Sequence, residues 1–365
     1  MGDRTFSRSS YQQARIDYGA TRSVGITRQA EEQARKRGRL SEIVDPAVNP
    51  IRRSMIRLNP HQKQWVVTVG QPVDIEVSCD TTGSMGGEVD NEMAILPDLY
   101  DATARVLPGC DPQLCLGIFG DCGDPFVMCR PQFEMEAPKI VEYLKEMAPQ
   151  RGGCANHGED PQYAMFARAY LTDAYTNRIG LKGYHFVVTD EPCHEKLQRS
   201  EIERIFGENI FDEELKNMRE LPNVEDVVEE LKTKVHAYAL ILRDTQYGDT
   251  ISKWKNLYGD NHVVIIDSTT QLPAVISAII GLSEGPLDIG ALNKHLGEHA
   301  SYELTRQLSN IEIGAQAKLR HALPYPVPRK GDIFAKKGDL WPIQSTEGST
   351  GKTAQAESSD EIRYL

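Results

Sequence analysis

Hydrophobic and polar positions alternate between two periods along this chain, and each change of period marks an element. From Trp65 onward, short apolar runs recur at 73–78, 114–119, 126–129, 184–189, 235–242 and 262–266, and these read as strands. Between them apolar residues fall three and four apart. In 88–106 the stripe is Met93, Leu96, Leu99, Tyr100, Thr103 and Val106, which predicts a helix. Helices are likewise predicted over 138–148, 161–176, 251–258 and 273–282, with mixed helical text up to residue 232. Strands and helices in alternation predict an α/β fold, a doubly wound, mostly parallel six-stranded sheet. Right-handed crossovers then bring the carboxyl ends of the strands to one face.

Outside 66–285 the pattern loosens. Residues 1–65 are polar and Arg-rich, with one helical stretch at 29–39. Residues 286–343 form a helical and then Pro-rich extension, and 344–365 have the Ser/Thr/Gly/Glu composition of a disordered tail. The chain has 365 residues and a net charge of -12, so coating nucleic acid is not its expected role. Charge is unevenly placed. Residues 1–65 hold 13 Lys+Arg against 6 Asp+Glu, a basic arm on an acidic body that docks on that body or grips an acidic partner or RNA. The longest nearly apolar run, 272–282, is too short for a bilayer, which takes about 20 residues. Seven cysteines, odd in number and without a C-x-x-C pair, fit a reduced cytoplasmic protein.

Candidate chemistry concentrates at the predicted strand ends. Asp80, Thr82 and Ser84 alternate along the turn that follows the first strand, placing a carboxylate and two hydroxyls around one point. Asp190 ends another strand and Asp121 a third. Oxygen donors without nitrogen or sulfur suit Mg²⁺, with Mn²⁺ or Ca²⁺ as alternatives. The competing reading is helix capping, since all three turn residues precede the helix starting near Glu88. Capping accounts for one of them more easily than for three.

On these residues, the strand and turn 75–85 with its D-T-T-G-S-M hexad (Asp80 to Met85), the chain resembles von Willebrand factor type A (vWA) domains and their D-x-S/T-x-S motif. The resemblance spans about 66–285, including the strand ends at Asp121 and at Asp190. It implies a metal-ion-dependent adhesion site in which Thr82 and Ser84 bind the ion directly while Asp80 and Asp190 act largely through water. A carboxylate from a protein partner completes the shell. It implies a non-enzymatic binding module, and relatives of this type often work beside MoxR-class AAA+ ATPases. The basic arm and the region past 285 would add docking or oligomerisation segments. The chain departs from the family in the loop 150–161, where Arg151 stands at the place of a Thr ligand. Three outcomes are open: Asn156 or another loop oxygen substitutes, the ion binds with one ligand fewer, or the guanidinium itself takes the cation's place.

Three other motifs suggest enzymes. His295-Leu296-Gly297-Glu298-His299 matches H-x-x-E-H, in which His295 and His299 would hold zinc with Glu298 as base. The Gly inside it and the missing third ligand favour a surface helix. Asp80 and Asp190 could hold Mg²⁺ for phosphoryl transfer, but Thr82 stands where a second Asp is wanted. Cys193-His194 reads as a loop rather than a nucleophile–base pair. The stretch 348–353 imitates a phosphate loop but lacks its first Gly.

Overall fold

The computed structural model describes residues 23–54, 56–59, 64–67, 72–107, 112–152, 157–245, 247–322 and 333–334, with Ser9 and Gln13. The tail 344–365, its phosphate-loop imitation and Asn156 lie outside the described residues. In chain order the elements are α1 (Ser23–Arg37), β1 (Arg52–Ser54), β2 (Ile56–Asn59), β3 (Gln64–Val67), β4 (Asp74–Asp80) and α2 (Glu88–Val106). Then come β5 (Gln113–Phe119), β6 (Met128–Cys129), α3 (Ala137–Glu146), α4 (Pro161–Tyr170), β7 (Thr172–Ala174) and β8 (Gly183–Thr189). They are followed by α5 (Arg199–Phe206), α6 (Val224–Lys234), β9 (Val235–Leu242), α7 (Thr250–Tyr258) and β10 (Val263–Ile266). The last are α8 (Leu272–Glu284), α9 (Ile289–Leu296), α10 (Tyr302–Leu308), α11 (Ala315–His321) and β11 (Ile333–Phe334).

Six strands form the central sheet in the order β10-β9-β8-β4-β5-β6. All neighbours are parallel except β5 and β6, so the doubly wound, mostly parallel six-stranded α/β sheet expected from the sequence is the fold observed. Parallel strands buried on both faces read as continuous apolar runs because each side chain, up or down, meets a helix layer. On one face Ile75, Val77, Phe186, Val188 and Leu240 pack with Leu99 and Tyr100 of α2 and Ile276 and Ile279 of α8. On the other, Val187, Ala239 and Ile241 meet Phe166 of α4, Val227 of α6 and Trp254 of α7. No described helix is long and apolar enough to cross a membrane.

Two local outcomes differ from the pattern. The helix predicted to 176 ends at Tyr170, because Thr172–Ala174 pair in parallel with Arg52–Ser54. The segment before residue 65 therefore adds a strand to the body, and Arg52 Nε donates to the Arg130 carbonyl at 2.7 Å. A separate antiparallel sheet joins β2, β3 and β11.

Strand β4 carries buried acids inside its apolar run. Glu76 receives Arg130 bidentately, Nε to Oε1 at 2.6 Å and Nη2 to Oε2 at 2.9 Å. Asp74 pairs with Arg168. These arginines are what permit carboxylates at such depth.

The chain runs β4-β5-β6 outward in one direction and β8-β9-β10 in the other. The topological switch therefore lies between β4 and β8, the crevice where open α/β sheets bind ligands. Asp80 ends β4 and Asp190 follows β8.

Candidate metal site at the sheet switch point

The turn after β4 is fixed by its backbone. Thr81 N–H donates to the Phe119 carbonyl at 3.0 Å, extending the β4–β5 ladder, and Arg151 N–H donates to the Thr81 carbonyl at 2.9 Å. Gly83 N–H reaches the Gly152 carbonyl, and a Cβ at Gly83 would stand 3.1 Å from that oxygen. Only glycine lets the two loops approach so closely.

Side chains then converge. Asp80 Oδ1 accepts from the Thr82 N–H at 2.9 Å and from the Thr82 hydroxyl at 2.7 Å. The hydroxyl oxygens of Thr82 and Ser84 are 3.2 Å apart, and Ser84 donates to Asp190 Oδ1 at 2.9 Å. The structure thus brings Asp80, Thr82, Ser84 and Asp190 together. Capping is not what these side chains do: α2 has Gly87 at its N-cap, without a side-chain hydrogen bond.

Three residues that the sequence reading passed over belong to this neighbourhood. Thr189 donates to Asp80 Oδ2 at 2.7 Å and accepts from Glu191 N–H at 3.1 Å, so it orients the carboxylate from behind. Glu159, from the loop before α4, is buried, and its Oε2 has no hydrogen-bond partner among the described residues. Burial pushes the Glu159 carboxyl up to about 10, and the charges of Asp80, Glu191 and Asp121 add to the effect. Glu92 of α2 is fully buried, and burial followed by the Asp80 charge pushes it well above the carboxylate range. A polar residue at an apolar spacing, seven positions before Leu99, was the available signal for it.

Burial and mutual repulsion oppose ionisation of these carboxyls. Burial, reinforced by the Asp190 charge, raises Asp80 to about 7 against the pull of its hydrogen bonds from Thr189 and Thr82. Asp190 is raised by burial too. Carboxyls crowded this way hold protons unless a positive charge replaces them. Hard oxygens from two hydroxyls and several carboxylates, one of them with an unpartnered buried oxygen, fit a divalent ion.

Arg151 does not serve as that charge. Its Nε lies 3.6 Å from Glu31 Oε2, directing the guanidinium toward α1. Its backbone sits at φ 51, a left-handed conformation imposed by the turn. Among the described residues of this loop, Glu159 interacts with the site, feeling the Asp80 charge and hydrogen-bonding to Thr82.

Asp121 meets Asp160 and His194, with one ligand atom from each lying within 4.8 Å of the others. This is a possible metal-binding cluster in its own right. Asp160 stays below the ordinary carboxylate range despite burial, held there by hydrogen bonds from His194 and Cys122. Cys193 donates to Gln162 Oε1 at 3.5 Å and to the His194 carbonyl at 3.2 Å, and burial pushes its thiol well up, the opposite of an activated nucleophile. The zinc-peptidase pattern is not assembled either. Helix α9 ends at Leu296, and His295 Nε2 lies 2.8 Å from the Ser277 hydroxyl on α8. Among the described residues, neither His295 nor His299 joins a metal-ligating group.

Neither a family model nor a curated protein matches the sequence. Solved structures do. The pilus adhesin SpaC of Lactobacillus rhamnosus GG is 14% identical, with a TM-score of 0.38 over 60% of this chain and 32% of its own. A von Willebrand factor type A protein from Catenulispora acidiphila is 12% identical, TM-score 0.34, over 61% of this chain and 45% of its own. The vWF domain of the pilus tip protein Mfa5 from Porphyromonas gingivalis is 10% identical, TM-score 0.39, over 58% of this chain and 96% of its own. The chain spans under half the length of the first two. Overlaps this partial add nothing about the site. The fold itself is vWA-like: a doubly wound sheet with the D-T-T-G-S-M turn at its switch point.

Proposed function

We propose that the chain is a non-enzymatic vWA-type module that binds a protein partner through a divalent ion held by Asp80, Thr82, Ser84 and Asp190. Mg²⁺ is the ion favoured by this donor set, with Mn²⁺ or Ca²⁺ as alternatives. When bound, the ion supplies a Lewis-acidic position for a carboxylate of the partner. Thr82 and Ser84 present hydroxyl oxygens to it, and Thr189 holds Asp80 in register. Glu159 takes the part of the absent Thr ligand, completing the acidic wall. The carrying observation is the chain of contacts from Asp80 through Thr82 and Ser84 to Asp190, which joins two separate strand ends at the switch point.

A module of this kind in a reducing cytoplasm suits an adaptor or assembly role, and a MoxR-class AAA+ ATPase is the partner class the vWA resemblance suggests. Calorimetric titration of Mg²⁺ and Mn²⁺ into wild type and Asp80→Ala tests the ion. Heat in the first that is lost in the second is expected, and equal heats remove the ion from this turn. Capture of a partner that survives EDTA would remove the ion from the docking step.

A further inference from the structure

Beside the Asp80 turn, three loops build a second constellation of different chemistry. Asp121 follows β5, Asp160 precedes α4 and His194 follows β8. Each donor is held by its own surroundings. Gly123 N–H donates to Asp121 Oδ1 at 2.6 Å, and Cys122 N–H to Asp160 Oδ2 at 2.6 Å. The loops of Asp160 and His194 pair like strands: Glu159 N–H donates to the Pro192 carbonyl at 3.0 Å and His194 N–H to the Glu159 carbonyl at 3.1 Å. The imidazole lies against Gly158, where a Cβ would stand 3.1 Å from His194 Cδ2.

His194 Nδ1 is 2.9 Å from Asp160 Oδ1. A cavity of about 460 Å³ opens onto the cluster, walled also by Cys122, His157 and Lys253. It leaves room for waters or another ligand on the exposed side of an ion.

We infer that Asp121, Asp160 and His194 form a second metal site, selective for a divalent transition ion of the zinc class. One imidazole nitrogen with two carboxylates is a borderline donor set that suits Zn²⁺, Co²⁺ or Mn²⁺, whereas Mg²⁺ and Ca²⁺ prefer the all-oxygen turn next to it. The ion clips three loops together at the rim of the sheet. This inference stands whether or not Asp80 binds Mg²⁺.

The test uses the full chain carrying Asp80→Ala, which silences the neighbouring turn, and titrates Zn²⁺ by calorimetry and Co²⁺ by visible absorption. One equivalent is expected to bind, with a Co²⁺ ligand-field band that excess Mg²⁺ leaves in place. Adding His194→Ala is expected to weaken Zn²⁺ binding at least about tenfold and to abolish the band. Equal Zn²⁺ affinity with and without His194→Ala, or no Co²⁺ band in its presence or absence, overturns the site. Should the alanine variant unfold, His194→Gln keeps a polar partner for Asp160. The ¹⁵N shifts of the His194 ring in wild type then decide independently: a Zn²⁺-induced change supports ligation, and unchanged shifts refute it.

Discussion

Replacing Asp80 by Asn separates the cost of its buried charge from the packing of its side chain. In the metal-free protein Asp80 titrates near 7 instead of 3.8, because burial and the Asp190 charge oppose ionisation. A carboxyl raised in the folded state contributes stability that is complete below its unfolded pKa and is lost as pH climbs to the folded one. The full loss is about 4 kcal/mol once pH exceeds 7, and less than half of it has occurred by pH 5. Asparagine keeps the shape and carries no charge. Its Oδ1 still accepts from the Thr82 N–H and hydroxyl, while Thr189 must turn to accept from the new amide, at a cost of about 1 kcal/mol.

Urea unfolding in EDTA is therefore expected to find Asp80→Asn more stable than wild type by about 3 kcal/mol at pH 8 and by less than about 1 kcal/mol at pH 5. Adding Mg²⁺ at pH 8 nearly closes that gap. Wild type gains about 2.7 kcal/mol when the ion is present at a hundred times its dissociation constant, and the variant gains nothing. A variant no more stable than wild type at pH 8 in EDTA, or one with the same advantage at both pH values, would falsify the account of Asp80 as a charge awaiting a cation.

Four further outcomes are expected. Thr189→Val removes the hydroxyl behind Asp80 with little change of shape, so Mg²⁺ affinity by calorimetry should fall about 10–100-fold; unchanged affinity would deny it an orienting role. Glu76→Ala strands the buried Arg130 and should cost about 3–5 kcal/mol in urea, most of it recovered by the double change Glu76→Leu/Arg130→Met. Gly83→Ala puts a Cβ against the Gly152 carbonyl, so Mg²⁺ binding should weaken while far-UV circular dichroism stays native. The paired change His295→Ala/His299→Ala should leave Zn²⁺ binding intact, and its loss would revive the peptidase reading.

The sheet was legible because strands buried on both faces leave an unbroken apolar signature, as in 235–242, where expectation and β9 coincide. Helix α2 was equally readable from its spacing and occupies the expected 88–106. What failed to show was pairing between distant segments. Nothing within 161–176 announces that Thr172–Ala174 will leave the helix to join Arg52–Ser54, some 120 residues earlier.

The same limit divides the site. Asp80, Thr82 and Ser84 are neighbours in one turn, so their convergence could be read locally, and Asp190 could be read as a strand end. Glu159 joins the site through a loop that pairs with residues 192–194, and that pairing also brings His194 to Asp160 rather than to the adjacent Cys193. From the sequence Cys193-His194 reads as a loop rather than a nucleophile–base pair, and nothing local names another partner for the imidazole. The fold chose a carboxylate 34 residues away.

Strand β4 carries three buried acids, and the way each is neutralised bears on what the molecule is built to do. Asp74 and Glu76 face Arg168 and Arg130, side chains of the protein itself, so those charges are matched permanently and the pairs serve only the fold. Asp80, two turns of the pleat further on, is met by the hydroxyls of Thr82 and Thr189, while burial and the Asp190 charge oppose its ionisation. Hydroxyls orient a carboxylate without neutralising it. An arginine at the same place would stabilise the metal-free protein and end any response to a soluble ion, yet the nearby Arg151 is turned toward Glu31 instead. Raised carboxyls at this strand end, set against matched ion pairs deeper in the same strand, are what supports the proposal that a cation from solution binds here. On that proposal, binding the ion would both relieve the buried repulsion and create the surface a partner carboxylate meets, coupling the order of the rim to its capacity to dock.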